Sequence, residues 1–387
     1  MTKVLLIGNL FDDKWMGSLV RSLKSHAPDL QIDILNTQIG RQSQLPDYSR
    51  LCSQVYVGKK HFGRLGYGIP KWRTFLQNMD LYLEVRKLVR SQKEKYDVLN
   101  IHYLLPIWSY CVSDMKRIAN RILLSPWGSD ILRAKKQTLK KLAILVEKAD
   151  YISCGEELVR FQNDITKFLH VSPCKWVHLG FGTEMIDVIQ KAGPITRDEA
   201  KEKMGLKNRY VVVCGYNGHK AQNHIKIIEE IAKKKDELPP NMILLLPMTY
   251  GGEERYVKEI EQKLIALGLA YRLLHHYMTN DELLYVRWCA DIFIHAQDTD
   301  ANSATLAEYL FCRTKIINAA WLTYPHWEKY GKPYYEFATF SSLGEVLVKA
   351  VCAQKKIVPK HLLKQIAQSG WNSVGKRWVD FYQACSL

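Results

Sequence analysis

Long apolar runs are missing from this 387-residue chain. Nowhere do about eighteen uninterrupted apolar residues occur, the length that marks a bilayer-spanning helix. The first apolar run, Val4 to Ile7, is far too short for the core of a secretory signal, so a cytoplasmic chain is expected. Cysteine pairing signals are missing as well. The nine cysteines are odd in number and include no C-x-x-C pair, which argues against a disulfide framework and a zinc site and leaves reduced thiols. No Pro/Gly/Ser or Gln/Asn tract suggests disorder, and 47% hydrophobic with 24% charged residues is the composition of a chain folded throughout. Finally, neither half opens on G-x-G-x-x-G. The first strand runs into "GNLFDD" and its counterpart in the second half into "GYNGHK", so a dinucleotide oxidoreductase loses ground.

What is there in excess is positive charge. Lys and Arg number 55 against 39 Asp and Glu, a net +16, which calls for an anionic partner: nucleic acid, an anionic membrane leaflet or phosphorylated substrates. Residues 59 to 95 carry ten Lys/Arg against three acids, interleaved with Phe62, Tyr67, Trp72, Phe75 and Tyr82. Cations among aromatics suit a headgroup interface, and Lys59, Lys60, Arg64, Lys71, Trp72 and Arg73 are candidates for holding a membrane or an acceptor. A solvated loop and helix face is the alternative. Nucleic acid fits the charge alone, but no recognition module and no single basic helix or sheet face is identifiable.

The chain's rhythm is β-α-β. "KVLLIG" stops at Gly8, a helical pattern runs from about Lys14 to His26, and "LQIDIL" alternates as a strand. "YDVLNIHY", "RILLSPWGSD", "ADYISCG" and "CKWVHLG" continue it, separated by helices from about Pro106, a basic helix, and one from Glu156. The pattern lapses between Gly180 and Arg209, around a Gly-Pro break and a short polar helix, then restarts at "RYVVVCGYNG" for a second series ending in "RTKIIN". Two α/β domains with mostly parallel sheets follow: residues 1–190, joined by a returning helix 366–387, and residues 205–365.

Ligands of open α/β sheets sit beyond the carboxyl ends of strands. Gly215, Asn217, Gly218 and Lys220 lie at such an end, two glycines and a cation at the mouth of a helix, as a diphosphate needs. The other reading is a surface lysine beside an ordinary cap. His219 and His224 read as capping or surface imidazoles. In "DANSATLAEYLFCRTKIIN" a helix beginning near Ser303 would grip phosphate with its free N–H groups. Asp300 would face the attached group, and Glu308 would accept hydrogen bonds from vicinal hydroxyls such as a ribose. Glu308 paired on the helix surface with Arg313 is the alternative. No D-x-D triplet is read as holding a metal-bound diphosphate at a strand end, so Lys220 and helix dipoles are expected to meet the leaving-group charge, with no metal and no cofactor.

These motifs resemble GT-B glycosyltransferases. "YRLLHHYMTNDELLYVRWCADIFIHAQDTDANSATLAEYLFCRTKIIN" is similar to the C-terminal signature of glycosyltransferase family 4, with Asp300 and Glu308 at its two acids. The resemblance implies that Glu308 binds the nucleotide ribose, that Asp300 meets the donor sugar and that His275 and His276 line the base slot. "GYNGHKAQNHI", "LLLPMTYGGEERYVKEI" and "PWGSDIL" resemble the bacterial 4-acetamido-4,6-dideoxygalactose transferases of enterobacterial common antigen, with Ser125 where that group has a histidine. The first family retains anomeric configuration and the second inverts it. Both imply two Rossmann-like domains facing across a cleft, with a C-terminal helix crossing back to the first. By resemblance, His102 would bind the donor sugar or its leaving phosphate, and Asp130 would sit at the acceptor hydroxyl as general base or positioning group. A satisfied strand-end histidine and a helix cap are the alternatives. The expectation is a metal-independent enzyme on the inner face of the plasma membrane. It would move a sugar from a nucleotide-sugar donor to a glycan acceptor linked to polyprenyl diphosphate, in surface polysaccharide synthesis and without a nucleic-acid partner. A catalytically degenerate GT-B binding protein is the other outcome.

Overall fold

A computed structural model describes residues 1–40, 44–62, 67–132, 134–154, 172–300, 302–329, 331–354 and 356–386. The chain divides into two compact units, Met1–Gly182 with Trp371–Leu387, and Thr183–Gly370.

The first unit is built on seven parallel strands in the order β3-β2-β1-β4-β5-β6-β7. They are β1 Lys3–Gly8, β2 Gln31–Asn36, β3 Gln54–Tyr56, β4 Tyr96–His102, β5 Ala119–Ser125, β6 Tyr151–Cys154 and β7 Trp176–His178. Successive side chains of a strand point to opposite faces, and β1 serves two cores. Leu5 and Ile7 pack with α2 (Pro70–Ser91), α3 (Trp108–Ile118) and α4 (Lys136–Lys148). Val4 and Leu6 pack with α1 (Ser18–His26) and the C-terminal helix Trp371–Ala384. That last helix lies close on α1: a Cβ at Gly375 would collide with the Ser22 hydroxyl, which donates to the Trp371 carbonyl at 2.8 Å.

The second unit has six parallel strands in the order β10-β9-β8-β11-β12-β13, namely β8 Tyr210–Cys214, β9 Met242–Pro247, β10 Tyr271–Leu274, β11 Ile292–His295, β12 Lys315–Ala319 and β13 Tyr335–Phe337. Its helices include α5 Glu184–Ala192, α6 Arg197–Lys203, α7 His224–Ala232, α8 Glu254–Ala266, α9 Asn280–Cys289, α10 Ala304–Phe311, α11 Leu343–Cys352 and α12 Lys360–Ala367. β8, β9 and β11 are apolar runs buried on both faces of the sheet, as parallel sheets require.

The domain limits read from sequence shift at both crossings. α5, in the stretch from Gly180 to Arg209 where the pattern lapses, packs with α9 and α12 in the second unit. The returning helix expected from residue 366 begins at Trp371 and runs to Ala384, and the break before it at Ser369–Gly370, after α12, is where the chain changes unit. α2 is a single 22-residue helix that the mixed polarity of residues 67 to 91 does not announce. The helix expected from Glu156 lies outside the described residues.

Candidate active site

All strands of a parallel sheet present their carboxyl ends at one edge, so the loops after β8 and β11, which are neighbours in the second sheet, form one wall. Hydrogen bonds join them. Asn223 donates its amide to the Ala296 carbonyl at 2.9 Å and to Asp298 Oδ1 at 2.8 Å. Asp298 N–H donates to the Ala221 carbonyl at 3.0 Å. Gln222 Nε2 and Tyr216 Oη both donate to Gln297 Oε1 at 3.0 Å.

The turn after β8 departs from the phosphate cradle expected of it. Gly215 takes φ +65°, where a Cβ would also meet His224 Nε2 at 2.9 Å and Gln222 Oε1 at 3.0 Å. Gly218 admits protein backbone: its Cβ would stand 2.7 Å from Gly252 Cα, and its N–H donates to the Tyr250 carbonyl at 2.9 Å. Asn217 is buried and turns its Oδ1 back to accept from His219 N–H. Lys220 sits on a short 3-10 turn ahead of α7, exposed, with Nζ 3.1 Å from Glu253 Oε2. An exposed pair of this kind holds only about 0–1 kcal/mol. His224, read as a capping or surface imidazole, is buried; its Nε2 has no hydrogen-bond partner, and burial pushes its pKa down to about 4.

After β11 stand both acids. Asp300 accepts from Tyr324 Oη at 3.1 Å and lies 3.5 Å from His295 Nε2. His295 is fully buried, its Nδ1 3.0 Å from Asn318 Oδ1. Asn318 Nδ2 donates to the Ala319 and Leu322 carbonyls, which leaves Oδ1 to accept from Nδ1–H and directs the other ring nitrogen's lone pair toward Ser303, 3.5 Å away. Burial holds His295 below the usual imidazole range against the opposing pull of Asp300. Ser303 caps α10, its Oγ accepting from Leu306 N–H at 3.1 Å, so that hydroxyl is already engaged by the helix. Glu308 is buried on α10 and paired with Arg287 of α9, Nε to Oε2 2.7 Å, while Arg287 also donates to Tyr309 Oη at 3.2 Å. The pairing with Arg313 weighed from sequence is not what the fold makes. His275 and His276 are exposed beyond β10, and His276 Nε2 lies 3.1 Å from Glu282, the acid of the capping box that opens α9. The triplet Asp298-Thr299-Asp300 follows β11 after Ala296 and Gln297, and its two carboxylates serve different partners, Asn223 and Tyr324. Among the described residues no three His, Cys, Asp or Glu converge as a metal site.

The equivalent edge of the first unit is filled by its own side chains. His102, at the end of β4, is 1% exposed, stacked on Trp378 at 6.0 Å and edge-on to Phe181 at 5.8 Å and Trp127 at 6.4 Å. One ring nitrogen meets Asn100 Nδ2 at 3.0 Å and the other, Nδ1, has no partner; burial lowers its pKa to about 3. That is the satisfied strand-end histidine weighed from sequence, with Nδ1 the one ring atom left without a partner. Asp130 is also buried. Its oxygens accept from Leu104 N–H at 2.8 Å and Trp127 N–H at 3.0 Å, tying the loop after β4 to the loop after β5. Burial pushes its carboxyl up to about 6 against those N–H groups, which favour the anion. Each oxygen holds one backbone N–H, so Asp130 brackets the two loops.

In the basic stretch, Lys59, Lys60, Trp72 and Arg73 are exposed. Arg64 lies outside the described residues, and of Lys71 only the backbone is described, in the first turn of α2. Asp80 and Glu84 turn inward: Asp80 accepts from His61 N–H at 2.9 Å and from Tyr67 Oη, and Glu84 accepts from Lys59 N–H at 3.2 Å.

No protein-family model and no curated protein sequence matches this chain. Solved structures do match it in fold. HepE from Anabaena, in complex with UDP and glucose, aligns with TM-score 0.68 at 14% identity over 99% of this chain and 100% of its own. Sucrose-phosphate synthase from Thermosynechococcus elongatus aligns with TM-score 0.72 at 13% identity over 99% of both chains. α,α-Trehalose 6-phosphate synthase from Burkholderia multivorans aligns with TM-score 0.73 at 10% identity over 100% of this chain and 97% of its own. The chain has the GT-B fold.

Proposed function

We propose that the protein is a GT-B glycosyltransferase that takes a sugar from a nucleoside diphosphate donor held by its second unit. The acceptor is a glycan carried on polyprenyl diphosphate at an anionic membrane surface, within surface polysaccharide synthesis. The observation that carries the reading is the shared wall after β8 and β11, where Asp300 and Glu308 follow one strand and the glycine turn follows its neighbour. Fold neighbours with UDP bound support it.

In this reading Asp300 faces the donor sugar and Glu308, held in place by Arg287, accepts from the ribose hydroxyls. Lys220 exchanges Glu253 for the diphosphate, a substitution made cheap by the weakness of an exposed pair. The acceptor hydroxyl displaces the nucleoside diphosphate from the anomeric carbon, one C–O bond forming as the bond to phosphate oxygen breaks and the hydroxyl proton passing to the departing phosphate. Lys220 meets the charge that develops on the leaving phosphate.

The test is a thermal-melting panel with UDP, dTDP, GDP, CMP and a short oligonucleotide, run beside Asp300→Asn and Glu308→Gln. Both substitutions are close to isosteric, whereas Glu308→Ala would strand the buried Arg287. A selective rise with one nucleoside diphosphate, reduced in Glu308→Gln, supports the reading. A rise with the oligonucleotide alone sinks it. The enclosure of His102 and Asp130 favours a second reading, a binding protein without turnover. Nucleotide binding with no sugar transfer to any lipid-linked acceptor would establish that one.

A further inference from the structure

The outward side of α2 is chemically divided. At about 100° per residue, Trp72, Phe75, Met79, Leu83, Arg86 and Arg90 fall on one stripe, opposite the buried Leu81, Val85 and Leu88. The helix is therefore apolar on two faces, and among the described residues only the face of Leu81, Val85 and Leu88 joins a buried core cluster, Met79 and Leu83 being half-buried on the other. Trp72 is 56% and Phe75 54% exposed, packed edge-on at 6.1 Å, with Ile69 exposed just before them. Two turns further along, Arg86, Lys87 and Arg90 line a shallow groove with Leu83 and Ser91.

Nearby acids do not balance these cations. Asp80 and Glu84 are buried and already serve His61, Tyr67 and the Lys59 backbone. Glu84 lies 4.0 Å from Lys87 and half-buried Asp114 4.0 Å from Arg86, while Lys59, Lys60, Arg73 and Arg90 add further exposed charge.

We propose that the outward face of α2 docks on an anionic lipid bilayer, Trp72 and Phe75 entering the headgroup boundary while Arg86, Lys87 and Arg90 lie along the anionic surface. The helix is about 33 Å long, so it engages lying flat in the interface plane as amphipathic helices do. The charge alone suits any polyanion. What selects lipid is the apolar half, because Ile69, Met79 and Leu83 have no stacking use on nucleic acid and Trp72 and Phe75 pack on each other. The inference rests on the membrane-surface part of the proposed function and not on its sugar chemistry, so the two fail separately.

The experiment is flotation of the full chain with vesicles of phosphatidylcholine alone and of phosphatidylcholine with about a third phosphatidylglycerol. Four forms are compared: the parent, Trp72→Ser/Phe75→Ser, Arg86→Gln/Lys87→Gln/Arg90→Gln, and Lys258→Gln as a surface control in the other unit. UDP melting without lipid and circular dichroism are measured on each. The expected result is binding to the anionic vesicles only, weakened about fivefold for each cation removed, hence roughly 100-fold in the triple variant. The aromatic variant should lose the fraction that survives high salt. Lys258→Gln should bind as the parent does, and every form should keep its UDP response.

Equal binding to neutral vesicles overturns the proposal, as does full anionic binding by the triple variant. So does displacement from vesicles by an oligonucleotide whose own binding needs the same cations, which assigns the face to nucleic acid. Lost UDP response with intact vesicle binding overturns the donor reading and leaves this one standing.

Discussion

The two units place the same edge of the same kind of sheet to opposite uses. After β4 and β5 the first unit closes its edge with rings, His102 lying against Trp378, Phe181 and Trp127. After β8 and β11 the second unit lines its edge with amides, carboxylates and phenols that answer one another. Shared topology therefore sets where a site can be, and side-chain chemistry decides whether one is left there. In the first unit the polar residues at the strand ends are spent on closure. In the second they are anchored from behind, Asp300 by Tyr324 and Glu308 by Arg287, with Asp300 kept partly open to solvent.

The sharpest way to break this contrast is to unpair a buried charge. Arg287→Met leaves Glu308 enclosed without a cation and is expected to destabilise the second unit by about 3–5 kcal/mol. Peptide-resolved hydrogen exchange should show β11 and α10 losing protection while β1 and β4 do not. Arg287→Met/Glu308→Leu should recover much of the loss, since replacing both partners of a buried pair by apolar groups is often neutral.

Trp378→Ala tests the first unit's closure. The side chain is fully buried and its indole donates to the Gly180 carbonyl at 2.9 Å. A loss of about 3–5 kcal/mol confined to the first unit is expected, with nucleotide-induced melting shifts unchanged once measured below the new transition. If the shifts vanish while the second unit stays protected, the assignment of donor binding to that unit is wrong.

Acid should separate the units next. His224 and His326, both in the second unit, are held down to about 4 by burial. A histidine depressed in the fold contributes stability that is full above its unfolded pKa near 6.5 and drains as pH falls toward the folded value. Each therefore costs on the order of 2 kcal/mol by pH 5. In the first unit His102, lowered to about 3, acts in the same direction, but Asp130, raised to about 6, acts in the other. A carboxyl raised in the fold contributes stability that is full below its unfolded pKa near 3.8 and is lost as pH rises through about 6, so acidification restores it. Hydrogen exchange at several pH values between 7 and 5 should show the second unit weakening more steeply, and Asp130→Asn should steepen the first unit's decline.

Lys220→Ala should change least in stability, within about 0.5 kcal/mol, because it breaks only an exposed pair. Its expected effect is weaker nucleoside diphosphate binding, read by titration calorimetry, with the monophosphate less affected.

Much of this was legible in the chain. Buried parallel strands announce themselves as short apolar runs, and both series of β-α repeats were readable from them. Asp300 and Glu308 stand out as candidates from spacing together with resemblance. His295, Asn318, Tyr324 and Arg287 were not singled out, because each contributes through a partner from another element; the one cue was that polar residues end otherwise apolar strands, as in "IFIH" and "KIIN". At His102 and Asp130 the sequence leaves open how far each is already engaged. A strand-end histidine and a loop carboxylate look available in sequence, and only the return of Trp378 and the turned-in N–H groups of Leu104 and Trp127 show them occupied.

By itself, then, the sequence determined the alternation of strand and helix, two parallel sheets and a strongly basic first half of helix and loop near residue 70. Those follow from local periodicity and composition, which need no knowledge of neighbours. Tertiary structure alone decided which polar groups remain to meet a ligand. That Glu308 finds Arg287 and not Arg313, and that α2 carries an apolar stripe outside the core clusters of the described residues, depends on how each helix is rotated against its sheet. Pairing and exposure are properties of that packing, and no stretch of sequence read alone contains it.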